Sequence, residues 1–172
     1  ALASDENNPL PIFAAINSTI SNTVEPERLS FVVLVTDQVQ RGLASLVNRY
    51  VKSKYNGTRV SLCVGLEEHL RNRPAMRALV MLANSTRIKR KELLSTFNFA
   101  AFYLPHISKA SRILYLDSDV IVRSDVFELA KMPMHGKPAA AVEDCSQVIG
   151  RYIDFDLASA YRRAARVRVE GF

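Results

Sequence analysis

Five consecutive apolar residues, Phe31-Val32-Val33-Leu34-Val35, run unbroken into Thr36-Asp37. A strand with one face in water alternates apolar and polar side chains. A continuous β-branched run of this length instead fits a strand buried in a parallel sheet. The same design recurs along the chain. Residues 112–116 form an apolar strand that stops at Asp117-Ser118-Asp119, and 139–142 form another that stops at Glu143-Asp144. Residues 59–66 read as a strand after the Asn56-Gly57 turn, and 1–4 as a short strand ending at Asp5-Glu6-Asn7-Asn8. Between them lie helical periods: Ile12, Phe13, Ile16 and Ile20; Leu43, Leu46, Val47 and Tyr50 within 39–51; and 93–104, stopping at Pro105. Residues 76–82 suggest a short helix, and Asp125 a cap for a helical turn from Val126. Alternating strands and helices predict an α/β fold with a mostly parallel sheet flanked by helices.

The chain of 172 residues is enough for one domain, and 48% hydrophobic with 23% charged residues is an ordinary globular composition. No apolar run approaches the roughly 20 residues that span a bilayer, and there is no signal-peptide pattern. No membrane contact is expected of this segment. A start at Ala1 and an abrupt end at Phe172 read as a piece of a longer protein, which could itself carry a membrane anchor. The net charge of +6 favours anionic ligands. Much of it sits in two clusters, Arg87/Lys89/Arg90/Lys91 and Arg162/Arg163/Arg166/Arg168, which read as solvated helix faces. With no zinc-finger spacing and no aromatic platform, nucleic acid is not an expected partner. Cys63 lies in an apolar run as a core residue, and with Cys145 it makes no disulfide framework. Of three N-x-S/T triplets, at Asn17, Asn56 and Asn84, the one at the Asn56 turn is the best glycan acceptor.

In parallel α/β sheets, ligands bind beyond the carboxyl ends of the strands. Asp5, Asp37, Asp117 and Asp144 all stand at such ends. Asp37 reads first as a turn residue, and Asp144 either caps a loop or lies near a transferred sugar. At Asp117-Ser118-Asp119, a bend directly after an apolar strand aims two carboxylates at one place. Two such charges repel unless a cation lies between them. All-oxygen ligation suits magnesium, calcium or manganese rather than zinc. A metal held by two protein oxygens keeps positions open for a diphosphate, whose departing charge it would stabilise. Strand-end aspartates also occur in phosphatase-type and nucleotidyl-transfer sites, which require further carboxylates and a Lys. The chain has a second D-x-D, Asp154-Phe155-Asp156, but no apolar strand of comparable length leads into it.

The stretch Ile113-Leu-Tyr-Leu-Asp-Ser-Asp-Val-Ile-Val122 resembles the D-x-D segment of glycosyltransferase family 8. Four other stretches resemble that family in the same order: Leu2-Ala-Ser-Asp-Glu-Asn7, Ala14-Ala-Ile-Asn-Ser18, Phe99-Ala-Ala-Phe-Tyr-Leu-Pro105 and Ala140-Ala-Val-Glu-Asp-Cys145. The resemblance implies a C-terminally truncated GT-A-type fold, with 1–172 as one partial catalytic domain, its nucleotide-sugar-binding half. It implies a metal-dependent, retaining transfer of a hexosyl or uronosyl group from a UDP-sugar to a glycan or glycoprotein, in the Golgi or secretory lumen. Asp117 and Asp119 would hold Mn2+ (or Mg2+). Ala3, Ser4, Asp5, Asn7, Asp117, Ser118 and Asp119 would line the donor, with Asp144 near donor or acceptor sugar. Two positions depart from the family pattern: Ala101 stands where an Arg is common, and Asn8 where an aromatic often stacks on uracil. Ala101 would also suit a module that binds UDP or glycan without turnover. The family's further metal ligand, a downstream His, matches none of His69, His106 or His135.

Overall fold

The computed structural model describes residues 1–4, 7–54, 57–64, 96–143 and 146. The chain divides into two compact units, Ala1–Met132 and Pro133–Phe172. In the first, three parallel strands, β1 (Leu2–Ser4), β2 (Ser30–Val35) and β3 (Arg59–Cys63), are ordered β1-β2-β3. The register pairs Ser4 with Val35 and Leu34 with Cys63. Helix α1 (Leu10–Ser21) links β1 to β2, and α2 (Asp37–Leu46) leads from β2 towards β3 through a wider turn, Val47–Val51. Such crossovers are what parallel neighbours require.

The unbroken apolar run behaves as its composition demands. Val33 and Val35 point to one face, where Leu2, Ile12, Ile16, Ile20, Val39 and Leu43 close over them. Leu34 points to the other, against Ala3, Ala100, Tyr103 and Leu104. That second layer is a tight helical stretch, Thr96–Tyr103, running into α3 (Leu104–Ile107). Pro105 does not end this helix as expected. It sits in the first turn of α3, where a missing N–H costs no intrahelical bond. Phe102 is exposed, while Tyr103 beside it is buried.

Helix α2 starts two residues before the sequence period suggests. The Thr36 side chain accepts from Val39 N (3.4 Å), and Asp37 occupies the first turn, where its charge favours the helix N-terminus. Asp37 is therefore a helix-start residue. Tyr50 reaches back to Phe13 edge-on, with ring centroids 5.6 Å apart. Gly57 takes φ +108°, so the turn into β3 needs a residue without a Cβ. The 76–82 segment lies outside the described residues.

After α3 the chain returns in extended form. Ala1 N donates to Leu114 O (2.6 Å), and Leu116 N donates to Ala1 O (2.9 Å). Residues 114–116 thus run parallel to the start of β1, on the side away from β2. Helix α4 (Val126–Lys131) follows, capped as expected by Asp125, whose carboxylate accepts from Phe127 N (3.0 Å). Arg28 lies over the Phe127 ring, 4.8 Å from its centroid.

In the second unit a tight turn joins Met134 O to Lys137 N (2.8 Å), with His135 and Gly136 at positive φ. The strand expected at 139–142 is not formed: these residues are exposed and have no ladder partner among the described residues. Apolar character alone cannot make a strand whose backbone groups meet no neighbour.

Gly42 offers a test of the packing between α2 and the entry to α1. A Cβ there would lie 2.8 Å from Pro9 Cγ. Replacing a helical glycine by alanine ordinarily adds about 0.5–1 kcal/mol, but forcing extra volume into a packed contact costs about 1–3 kcal/mol. The overlap should win. Gly42→Ala is expected to lose about 1 kcal/mol in urea unfolding; a gain would show that Pro9 yields freely.

Candidate functional site

The C-terminal ends of β1, β2 and the 114–116 segment share one edge of the sheet, because all three run the same way. At this edge Ser4 and Ala3 are buried at the end of β1. Pairing of the returning segment stops at Leu116, and the chain turns through Ser118 and Asp119. Asp117 and Asp119 are exposed and Ser118 is half-buried. Tyr115 packs with Ala3, Leu34 and Tyr103. Its phenol is raised above the ordinary 10.0, first by burial and then by the negative charge of Asp117. Asp117 therefore lies close to the side chain that covers the end of β1.

Both ends of the bend are anchored. Leu116 and Val120 pack into the core under α1. Val122 N donates to Ser18 Oγ (3.1 Å), and Asn22 Nδ2 donates to Val122 O (3.0 Å). Further back, the Arg112 guanidinium donates to Ala130 O and to Met132 O (2.8 Å) at the C-terminal end of α4. A cation at a helix C-terminus is favourable, and here it ties the approach to the bend to the helix that follows it.

Of the residues expected at the site, the structure brings Ala3, Ser4, Asp117, Ser118 and Asp119 to one edge. Asn7 is exposed in the loop after β1, while Asp5 and Asp144 lie outside the described residues. Asn8 serves the backbone: its Oδ1 accepts from Leu10 N (3.1 Å) and steadies the start of α1. Ala101 is half-buried on the layer that covers β1. The basic clusters, His69, Cys145 and the second D-x-D lie outside the described residues. His106 and His135 are exposed. Cys63 is a free, half-buried thiol whose pKa is pushed up by burial, as suits a packed rather than a reactive cysteine. Asn17 lies within α1 with its Oδ1 buried, and the Thr19 hydroxyl is buried against Ala15 O, so no glycan fits at that triplet.

Two exposed carboxylates flanking one residue form an all-oxygen donor set suited to a hard divalent cation. Among the described residues no group of three His, Cys, Asp or Glu converges on one point. The pair alone would leave most coordination positions to other ligands. The contacts that Ser18, Asn22 and Arg112 make with Val122, Ala130 and Met132 carry no signal in the sequence. Each acts across a long sequence separation on a backbone atom, which leaves no local signature.

A parallel three-stranded sheet covered by helices defines an α/β domain, with Asp117 and Asp119 exposed near its carboxyl edge. The chain belongs to glycosyltransferase family 8, whose sequence model matches residues 1–166, and its fold is of the GT-A type. Among curated relatives, probable galacturonosyltransferase 5 of Arabidopsis thaliana is 30% identical over 151 residues, covering 87% of this chain and 24% of that protein. Probable galacturonosyltransferase 6 of the same plant is 34% identical over 143 residues, covering 81% of this chain and 23% of that protein. Glycosyltransferase 8 domain-containing protein 1 of Xenopus tropicalis is 28% identical over 143 residues, covering 82% and 34% respectively. The chain thus spans about a quarter to a third of the length of these relatives. No solved structure gives a significant match. Among the described residues no helix is long and apolar enough to cross a membrane.

The shifted pKa values fix the sign of an alkaline effect. Cys63 is held above its ordinary 9.0, and Tyr103 and Tyr115 above 10.0. Across that range the unfolded chain binds fewer protons than the folded one, so stability falls as pH rises. Tyr115→Phe should make the urea midpoint fall less between neutral pH and pH 10.0, and Asp117→Asn should do so to a smaller degree. An unchanged alkaline slope in both variants would place Tyr115 away from Asp117.

Proposed function

We propose that this chain is the nucleotide-sugar-binding part, 1–172, of a metal-dependent, retaining glycosyltransferase. It would transfer a hexosyl or uronosyl group from a UDP-sugar to a glycan or glycoprotein in the secretory lumen or Golgi. The observation that carries this reading is the pair of exposed carboxylates at Asp117 and Asp119, held on a bend at the carboxyl edge of the sheet in a family 8 chain. A uronosyl donor is favoured by the galacturonosyltransferases among the relatives. A secretory setting agrees with the glycan-acceptor triplet at Asn56.

In this reading Asp117 and Asp119 hold Mn2+ or Mg2+ through their carboxylate oxygens, leaving room for the donor diphosphate. The ion, when bound, offsets negative charge on the departing UDP. Ala3 and Ser4, with Asp5 and Asn7 just beyond, line the uridine end through backbone and short side chains. Ser118, between them, would keep the bend small enough for both flanking carboxylates to reach the same cation. Asp144 is assigned to the sugar end.

A second reading rests on Ala101. A cation at that place would compensate the acidic pair, and alanine supplies none. Unless Arg87 or Lys91 serves instead, the domain would bind UDP or a glycan without turnover.

Turnover separates the two. The longer protein that contains this chain should release UDP from a UDP-sugar only with a divalent ion. Chelation should abolish the reaction and manganese restore it. Asp119→Ala should lower kcat/KM by about a hundredfold or more, a loss of about 3 kcal/mol of transition-state stabilisation. Tight UDP binding with no UDP-sugar consumed, even with acceptor glycans, would favour the binding module.

A further inference from the structure

Among the described residues, the hydrogen bonds around Val122 are the ones that act on the acidic bend without belonging to the donor site. Val122 lies three residues beyond Asp119, on a stretch that has left the sheet. Its backbone needs partners that no strand supplies. Two side chains supply both, one from the last turns of α1 and one from the residue that caps it: Ser18 Oγ accepts the Val122 N–H (3.1 Å), and Asn22 Nδ2 donates to the Val122 carbonyl (3.0 Å).

These two side chains are themselves oriented. The Ser18 hydroxyl donates to Ala15 O (3.1 Å), which leaves an oxygen lone pair for Val122. Asn22 Nδ2 also donates to Ser18 O (3.0 Å), so one amide group joins the end of α1 to the bend. Ser18 is buried, and α1 is anchored by the fully buried Ile12, Ile16 and Ile20. The contact therefore connects the rigid core to the chain just past the carboxylates. On the near side Leu116 is held through Ala1 O, and on the far side the half-buried Val120 packs against the same core beside the Val122 clasp. Asp117-Ser118-Asp119 is consequently a three-residue arch with both feet fixed.

We propose that Ser18 and Asn22 are positioning residues for the acidic pair: by clasping the Val122 peptide they hold the far foot of the arch, and with it the Asp119 carboxylate. Two carboxylates that must share a cation repel each other until it arrives. With the clasp released, only the half-buried Val120 would hold the far foot, and the exposed Asp119 carboxylate would gain room to move away from Asp117. Releasing the clasp should therefore weaken metal binding more than it weakens the fold. The inference rests on the donor-site reading above, which assigns Asp117 and Asp119 to the metal.

The test is a manganese titration of the full-length protein with UDP present, followed by the paramagnetic resonance of free Mn2+, with melting temperatures recorded in parallel. Ser18→Ala and Asn22→Ala should each weaken Mn2+ binding about tenfold, the scale of loss when support behind metal ligands is removed. Ser18→Thr, which keeps a hydroxyl, should bind as the parent does. Thr19→Val is the control, since this hydroxyl, also buried, donates to Ala15 O and not to Val122. It should lower the melting temperature and leave the Mn2+ affinity unchanged. If Ser18→Ala and Asn22→Ala bind Mn2+ like the parent, or Thr19→Val weakens it as much, the positioning role is overturned. A parent that binds no Mn2+ with UDP, or an Asp119→Ala variant that binds it equally well, overturns the donor-site reading and this inference with it.

Discussion

The two-sided burial of β2 is the constraint on which the rest of the structure depends. Val33, Leu34 and Val35 are each fully buried, and they point alternately to opposite faces. Exposing any one of them would forfeit about 1.5–3 kcal/mol of apolar burial, so both faces must be roofed. Helices α1 and α2 roof one face, and the 96–107 layer the other. Roofing by crossover helices keeps neighbouring strands parallel, and parallel strands deliver their carboxyl ends to a common edge. The acidic bend stands at this edge because residues 114–116 run parallel to the start of β1 and the chain turns directly after them.

At that edge the protein holds together charges that oppose each other. Asp117 and Asp119 stay at the surface, where water limits the cost of their proximity. The chain on either side is tied to buried structure through Leu116, Val120 and Val122, and Arg112 fastens the approach to α4. Rigidity and exposure are thus combined within three residues. This suits a site that must present carboxylates to an ion and a diphosphate without reorganising as they arrive. In the proposed function the same arrangement would divide the work: β1 would end under the nucleoside, and the arch would hold the ion that meets the diphosphate.

Much of this is legible in the sequence wherever local chemistry and long-range packing agree. The Phe31–Val35 run, the Ile12, Ile16 and Ile20 spacing and the Asp125 cap each carry their physical cause in adjacent residues, and each is found as expected. The family assignment is legible because several such stretches occur in order. Other features mislead for identifiable reasons. Pro105 reads as a stop, because whether a proline lies inside or in the first turn of a helix depends on where the helix restarts. Residues 139–142 have strand composition, yet a strand is a property of two segments. Phe102 and Tyr103 are similar in kind, and only the direction of the helical stretch decides that one is exposed and the other buried. Asn8 resembles a lost stacking partner and instead serves the start of α1. The contacts of Ser18, Asn22 and Arg112 are invisible in sequence because their partners are backbone atoms at the far end of a long loop closure.

Binding of a divalent ion together with UDP by Asp117 and Asp119 is tested most directly by paramagnetic line broadening of backbone amides, with manganese added in the presence of UDP and then of GDP. The expected broadening is centred on residues 117–120, reaches Ala3 and Ser4, is strong with UDP and weak with GDP, and spares 154–156. Broadening centred elsewhere, or equal with either nucleotide, would contradict it.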